Sequence, residues 1–147
     1  DIVLPELDLH LKGTRNITDI RDLRVYYDDF YDLKGVTFCC AQANEVVTKG
    51  VTIFQMVKGN VKDACIAGAN LGRDTDCCAA VAAGISGALT GTGDIPKEWF
   101  EVVDYACSVN KFTASRRKVI DYADDIYYAF QKRIKKEKEY LMLMKNA

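Results

Sequence analysis

The sequence predicts an all-α fold. Apolar residues recur at the spacing of amphipathic helices through most of the chain, and only short connections rich in glycine, asparagine or proline separate these stretches. The alternation of apolar and polar residues that marks a half-buried strand is confined to the first 15 residues. The 147 residues suit one domain or part of one, and 49% apolar residues are enough to form a core.

Charge and hydropathy argue against two classes of protein. The 20 basic and 21 acidic side chains leave a net charge of −1, which is unlike a general nucleic-acid or membrane-surface binder. No apolar run reaches the ~18 residues of a membrane span. The chain begins at Asp1 without an initiator methionine or a signal-peptide pattern, and we therefore expect it to be a piece of a longer protein.

The cysteine pattern does not match a zinc site. No pair has Cys-x-x-Cys spacing, and the single histidine, His10, lies in a different kind of segment. We expect reduced thiols, packed as small apolar side chains in a cytoplasmic protein; the alternative is a redox protein with a thiol of low pKa. The six cysteines are Cys39, Cys40, Cys65, Cys77, Cys78 and Cys107.

Residues 1–15 are expected to be irregular or extended. Pro5 and Gly13 are helix breakers, and the leucines between them alternate with other residues as in a short strand. No residue in this segment suggests chemistry.

The first predicted helix covers about residues 19–33, with Asn16 or Thr18 as its N-cap. Asp28-Asp29 falls on its solvated side. The apolar stripe that faces the core consists of Ile20, Leu23, Tyr27 and Phe30, with Tyr31 as a further aromatic candidate.

The second predicted helix, about residues 40–58, is apolar on more than one side and is therefore expected to be buried. Gly35 ends the helix before it, and Gly59 follows its last turn. Asn44 and Glu45 are its polar exceptions. Such a pair near the start of a buried helix either bonds to neighbouring backbone or faces a cavity.

A third helix is predicted from Val61 to Leu71, with Asn60 as its N-cap and Asp63 completing a capping-box-like start. Most of its side chains are small. The following helix is also built of small residues, so we expect the two to cross at close range and to fix the position of the turn between them.

That turn carries two acids. Gly72 interrupts the helical pattern, Asp74 and Asp76 follow one residue apart, and a small-residue helix runs on to Gly91. We expect the first turn of this helix to lie deep in the fold, where paired carboxylates need a cation, a set of donors or a shared proton. The helix N-terminus and a divalent cation would meet that need. The alternative is structural, with Asp74 as an N-cap and Asp76 as a first-turn acid.

Two helices are predicted in the last third of the chain. The first runs over about residues 97–108 with Pro96 at its first position, and Trp99 is expected to anchor the loop before it. The second, opened by Thr113 or Ser115, ends in a charged helical tail over residues 131–147. The apolar Leu141-Met142-Leu143-Met144 at its end would fold back or contact another chain.

Three features in sequence resemble the carboxy-terminal signature of the ADP-ribosylglycohydrolase family: residues 70–76 (Asn-Leu-Gly-Arg-Asp-Thr-Asp), the Ala/Gly-rich helix, and residues 95–99 (Ile-Pro-Lys-Glu-Trp). The resemblance is closest over residues 63–99. It implies that residues 1–147 are the carboxy-terminal portion of a single compact helical domain of this type.

The resemblance also implies a function and a site. The family hydrolyses the bond between ADP-ribose and a protein side chain, or a related ADP-ribosyl compound, with a pair of Mg²⁺ ions. Asp74 and Asp76 would be metal ligands, with Cys77, at the position usually held by Thr, as a weak third. Substrate would contact Asn70, Gly72, Arg73 and, more weakly, Asn44.

Two residues depart from the family pattern. Arg73 stands where the family commonly has a second glycine; it would pair with a diphosphate or with the neighbouring acids. Cys77 is a poor ligand for a hard metal.

The family's other acidic cluster, a Thr-Asp-Asp motif with a Glu, has no counterpart before Asp74. The second ion would therefore be held largely by residues outside this segment, from the parent chain or another chain. The alternative function is a non-catalytic ADP-ribose-binding or structural fragment.

Overall fold

A computed structural model describes residues 3–31, 42–112 and 116–145. The described residues form seven α-helices and no strand, which confirms the predicted all-α class. None of these helices combines the length and the apolarity that a membrane crossing requires. The helices are α1 (Val3–Gly13), α2 (Ile20–Tyr31), α3 (Ala43–Met56), α4 (Val61–Asn70), α5 (Thr75–Thr90), α6 (Lys97–Val109) and α7 (Val119–Lys145).

The irregular conformation expected for residues 1–15 is wrong, because α1 occupies most of that segment. Pro5 lies in the first turn, where its missing N–H would have no helical partner in any case. Gly13 is the last residue of the helix, and a Cβ there would lie 2.5 Å from the Tyr26 hydroxyl oxygen. His10 of α1 is buried, and so is Thr14 directly after the helix, so α1 contributes to the core.

The predicted stripe of α2 is confirmed, since Leu23, Tyr27 and Tyr31 are buried. Its cap was wrongly predicted. Asp19, rather than Asn16 or Thr18, stands directly before Ile20, and its carboxylate accepts a hydrogen bond from the backbone N–H of Arg21 at 2.8 Å. The predicted end of the helix at Leu33 and its closing Gly35 fall outside the described residues.

α3, α4 and α5 pack against one another at close range. Asn60 caps α4 as predicted, by accepting a hydrogen bond from the Asp63 N–H at 2.8 Å. A Cβ on Gly68 of α4 would lie 2.4 Å from the Cα of Ala79 in α5. This confirms the close crossing that the small residues predicted. The core comprises Leu23, Tyr27, Tyr31, Ile53, Ala64, Ala67, Leu71, Cys78 and Ala82.

The chain divides into two compact units, Asp1–Ile95 and Pro96–Ala147. The second contains α6 and α7, neither of which has a fully buried residue. Pro96 is the N-cap of α6 rather than its first residue. Thr113 and Ser115 lie outside the described residues, and α7 begins only at Val119, whose N–H donates to Asp104 of α6 at 2.8 Å.

Candidate metal centre

The two acids follow a turn with an unusual backbone. α4 ends at Asn70, and then Gly72 and Arg73 both adopt positive φ, of 94° and 60°. Glycine adopts such angles freely, whereas a residue with a Cβ does so at a cost of about 1–2 kcal/mol. Arg73 therefore needs an interaction that holds it in this conformation. We refer to residues 72–77 as the acidic turn.

That interaction is a buried ion pair with α3. The Glu45 carboxylate accepts hydrogen bonds from Arg73 Nε at 2.6 Å and from Arg73 Nη2 at 3.0 Å. It also accepts one from Lys49 Nζ at 2.7 Å. Glu45 is 2% exposed and Lys49 1% exposed, so one buried carboxylate serves two cations. Bidentate geometry fixes the orientation of the guanidinium as well as its position.

Aromatic rings and a second carboxylate surround this ion pair. Lys49 Nζ lies 5.3 Å from the ring centroids of Tyr27 and Tyr31, and the Arg73 guanidinium lies 5.8 Å from that of Tyr31. The Tyr31 hydroxyl donates to one carboxylate oxygen of Glu6, and Asn44 donates to the other at 2.7 Å. The polar start of α3 is therefore satisfied by side chains of α1 and of the acidic turn, neither of which was foreseen.

The acids themselves form a compact group. One ligand atom each from Asp74, Asp76 and Cys77 lies within 4.8 Å of the other two. Asp74 occupies the N-cap position of α5, but its side chain makes no capping hydrogen bond. The structural alternative, in which Asp74 is simply a cap, lacks the hydrogen bond that defines a cap.

The pKa values of this group reflect contacts made by Asp74. A hydrogen bond with the Asp74 side chain, followed by the backbone N–H groups of Cys77 and Asp76, lowers the pKa of Asp76. A hydrogen bond with Asp74 also raises the pKa of the Cys77 thiol. A cation between the two carboxylates would offset the repulsion of their negative charges. One oxygen of each carboxylate and the Cys77 sulfur lie close enough together to contact a single cation.

The expected depth of the site is wrong. Asp74 and Thr75 are half-buried, and Asp76 and Cys77 are exposed. The small residues that bring α5 close to α3 and α4 lie further along the helix, at Cys78, Ala82 and Ser86, so its first turn projects to the surface. A cleft of about 390 Å³ lies elsewhere, lined by Thr18, Asp63, Ile66 and five other residues, and includes none of the three candidate ligands.

The other predicted site residues occupy three different settings. Asn70 is exposed and donates to the Ile66 carbonyl oxygen at 2.7 Å, one turn back in α4. Gly72 forms the left-handed turn, with the nearest side chain, that of Arg24, 3.8 Å from where its Cβ would be. Asn44 contacts Glu6, and Arg73 binds Glu45. Both side chains therefore lie in the partly buried polar cluster around Glu6 and Glu45, beside the acidic turn.

A family model described as ADP-ribosylglycohydrolase matches residues 20–136, which is most of the 147-residue chain. The chain belongs to the ADP-ribosylglycohydrolase family. Neither the curated proteins nor the solved structures include a match to it. Family membership confirms the resemblance carried by residues 63–99 and extends it to α2 and most of α7.

The backbone at Arg73 accounts for the chain's first departure from the family pattern. Where the family resemblance leads one to expect a second glycine, Arg73 keeps a glycine-like φ of 60°. The turn is therefore retained although the residue has changed. The ion pair with Glu45 stabilises a backbone conformation that glycine would adopt without it.

The residues fit a hard divalent cation in part. Two carboxylates are the oxygen ligands that Mg²⁺ prefers, and their partial exposure leaves space for the waters that Mg²⁺ retains. The Cys77 sulfur, adjacent to them, is a soft atom and does not suit Mg²⁺. Asp74 and Asp76 therefore suit Mg²⁺ as ligands, whereas Cys77 lies close to them but offers a soft sulfur atom. No other cluster of three such groups occurs among residues 3–31, 42–112 and 116–145.

The described cysteines give no support to redox chemistry. Cys65, Cys77, Cys78 and Cys107 are free thiols, and Cys39 and Cys40 lie outside the described residues. Burial raises the pKa of Cys78 to about 11 and also raises that of Cys65. Reactive thiols have lowered pKa values, so neither cysteine matches a reactive thiol, and Cys78 packs as an apolar core residue.

Sequence reasoning missed the residues that support the site. Glu6, Lys49 and Tyr31 were not identified as functional, and Glu45 was noted only as a polar exception. The spacing of Glu45 and Lys49, four residues apart on one helix, was the available signal for a pair. Glu6 lies four residues before His10, at 3.9 Å, but its hydrogen bonds to Tyr31 and Asn44 span 25 and 38 residues and have no local signal.

Proposed function

We propose that this chain supplies part of the active site of a metal-dependent hydrolase. The enzyme would release ADP-ribose from a modified protein side chain or a related ADP-ribosyl compound. The observation that carries the proposal is the meeting of Asp74 and Asp76 at the start of α5, where the Asp74 side chain makes no capping hydrogen bond. Membership of the ADP-ribosylglycohydrolase family supplies the class of reaction.

In this proposal Asp74 and Asp76 hold Mg²⁺, one of two ions, and the second is held largely by residues outside the segment. When bound, the metal pair would orient a ribose diol and make a water molecule more nucleophilic. Thr75, between the two acids, would orient backbone or solvent rather than react. The whole enzyme would be cytoplasmic, with the remaining half of the domain coming from the parent chain or from another chain.

Glu45 and Arg73 have a positioning role in this scheme. A metal site requires its ligands to be held within about half an ångström of the productive geometry. The bidentate ion pair fixes Arg73, which directly precedes Asp74 in the chain. Arg73 Nε and Nη2 both donate to Glu45, which ties the guanidinium to α3. We therefore assign it to the scaffold of the turn.

One observation favours a second candidate, a fragment that binds ADP-ribose or only retains the scaffold. Asp76 and Cys77 are exposed, and no second acidic cluster joins them in the part of the chain that the structure describes. Without additional ligands a pair of exposed carboxylates binds Mg²⁺ weakly, because the ion dehydrates reluctantly. A parent chain that lacks a further acidic cluster would favour this alternative.

Magnesium-dependent release of ADP-ribose by the full-length parent tests the proposal. Substrates modified on arginine, on serine and on a nucleic-acid end would identify the acceptor. The double variant Asp74→Asn/Asp76→Asn should lose at least ~100-fold in kcat/KM. Asp22→Asn, an exposed acid on α2, is the matched control and should retain activity. Full activity in the double variant would show that the site is wrongly assigned.

A further inference from the structure

We propose that one face of α7 binds the same face of a second copy of this chain, with the two helices antiparallel. α7 is 27 residues long, or about 40 Å at 1.5 Å per residue. Along it, residues recur at alternating steps of three and four, the heptad spacing of a coiled-coil seam. The seam positions are Ile120, Ala123, Tyr127, Phe130, Ile134, Glu137, Leu141 and Met144. Glu137 is the one polar member.

The α7 seam is largely uncovered. Tyr127 is 64% exposed, Phe130 56% and Leu141 58%. The side of α7 that approaches α6 is a different one, since the partly buried residues at its start are Val119, Asp121 and Tyr122. An aromatic and aliphatic stripe of this length on the surface is typical of an association site rather than of scattered exposed residues.

The distribution of charge along α7 favours a second copy of the same helix as the partner that covers the seam. Residues 119–131 contain three acidic side chains and no basic one, whereas residues 132–145 contain six basic and two acidic ones. A parallel copy would place acid against acid, base against base, and Glu137 opposite Glu137. An antiparallel copy places the acidic half of each helix on the basic half of the other. The helix is therefore complementary to itself in one orientation only, and a two-fold axis satisfies both halves at once.

The heptad register makes this pairing specific. In an antiparallel pair, Phe130 packs beside Ile134 of the partner subunit, and Ile120 beside Met144 of the partner subunit. Asp124 then flanks the seam opposite Lys138 of the partner subunit, and symmetry repeats the contact. Neither Asp124 nor Lys138 has a hydrogen-bonded or ionic partner among the residues that the structure describes. The neighbouring Asp125, by contrast, is paired within the chain with Arg117 at 2.6 Å.

Sedimentation velocity of the 147-residue chain over a range of concentrations tests the proposal. We expect a reversible dimer. Ile134→Asp should weaken it at least ~10-fold, because a charge would be buried at the centre of the seam. Tyr128→Asp, which changes an exposed residue of α7 outside the seam, should leave the dimer intact. Circular dichroism of each variant establishes that α7 remains helical.

A charge exchange tests the orientation. Asp124→Lys should weaken the dimer, because it places lysine against Lys138 of the partner subunit, and the double variant Asp124→Lys/Lys138→Asp should restore it. In a parallel dimer Asp124 faces no charged residue across the seam, so the single change would have no such effect. The proposal is overturned if the chain is monomeric throughout, if Ile134→Asp dimerises as the wild type does, or if the double variant fails to recover.

Discussion

Arg73 illustrates how a side chain can maintain a backbone conformation that its own Cβ disfavours. Its φ of 60° belongs to glycine, and its guanidinium is held by a carboxylate 28 residues away in the sequence. Because Arg73 directly precedes Asp74, the ion pair also fixes the backbone position of Asp74. The acidic turn therefore depends on a long-range ion pair for a geometry that a second glycine would adopt unaided.

Replacing Arg73 separates the backbone effect from the ion pair. Arg73→Gly and Arg73→Ala both remove the contact with Glu45, but only glycine adopts the positive φ without strain. We expect the glycine variant to have a free energy of unfolding about 1 kcal/mol higher than the alanine variant, the reverse of their usual order. Urea denaturation measures the difference. An alanine variant of equal or greater stability would contradict the account of the turn.

Glu45 is expected to be among the most sensitive positions of the first unit. Glu45→Gln removes the buried carboxylate that binds Lys49 and Arg73, and breaking a buried ion pair in this way costs about 3–5 kcal/mol. The matched control is Glu139→Gln on α7, where the pair with Lys135 spans 4.0 Å at the surface. Its cost should be at most about 0.5 kcal/mol. Thermal unfolding monitored by circular dichroism compares the two.

At the scale of single residues, sequence patterns predicted the features that depend only on near neighbours in the chain. Asp74 and Asp76 were found because the motif is contiguous, and Asn60 was identified as a cap because its hydrogen bond reaches only three residues ahead. The depth of Asp76 was mispredicted because burial depends on how the neighbouring helices cover the first turn of α5. The hydrogen bonds of Glu6 could not be predicted, since Tyr31 and Asn44 lie on distant helices.

At the scale of helices, the periodicity of apolar residues predicted six of the seven elements. α1 was missed because Pro5 and Gly13 were both interpreted as breakers, although each is compatible with a helix at the position it occupies. Leu9, one of the leucines that suggested a strand, is exposed, and the buried residue of the helix is His10. Where the pattern was sustained, as in α4 and α5, the predicted and observed boundaries differ by only a few residues.

The close crossing of α4 and α5 can be tested with two glycines. Gly68→Ala would place a Cβ 2.4 Å from the Ala79 Cα, and overpacking of this kind costs about 1–3 kcal/mol. Gly84→Ala, on α5, is the control, because no atom of the described residues lies within 4 Å of the place its methyl group would take. It should stabilise the chain by about 0.5–1 kcal/mol through helix propensity. If both changes stabilised the protein in urea, the crossing would be looser than described.

For the whole molecule, the family match and the acidic turn address different questions. The match over residues 20–136 shows which family the chain belongs to, and the geometry of Asp74 and Asp76 indicates which of its residues would hold a cation. Arg73 and Glu45 connect this group to the core of the first unit. The central claim is that the two carboxylates are placed together for a divalent cation.

Binding of Mn²⁺, which accepts the same oxygen ligands as Mg²⁺ and is detectable by electron paramagnetic resonance, tests that claim most directly. We expect the 147-residue chain to show a saturable Mn²⁺ site that Mg²⁺ displaces. The Asp74→Asn/Asp76→Asn variant should bind Mn²⁺ at least ~10-fold more weakly while keeping the helical content of the wild type. Equal Mn²⁺ binding by the wild type and this variant would contradict the claim.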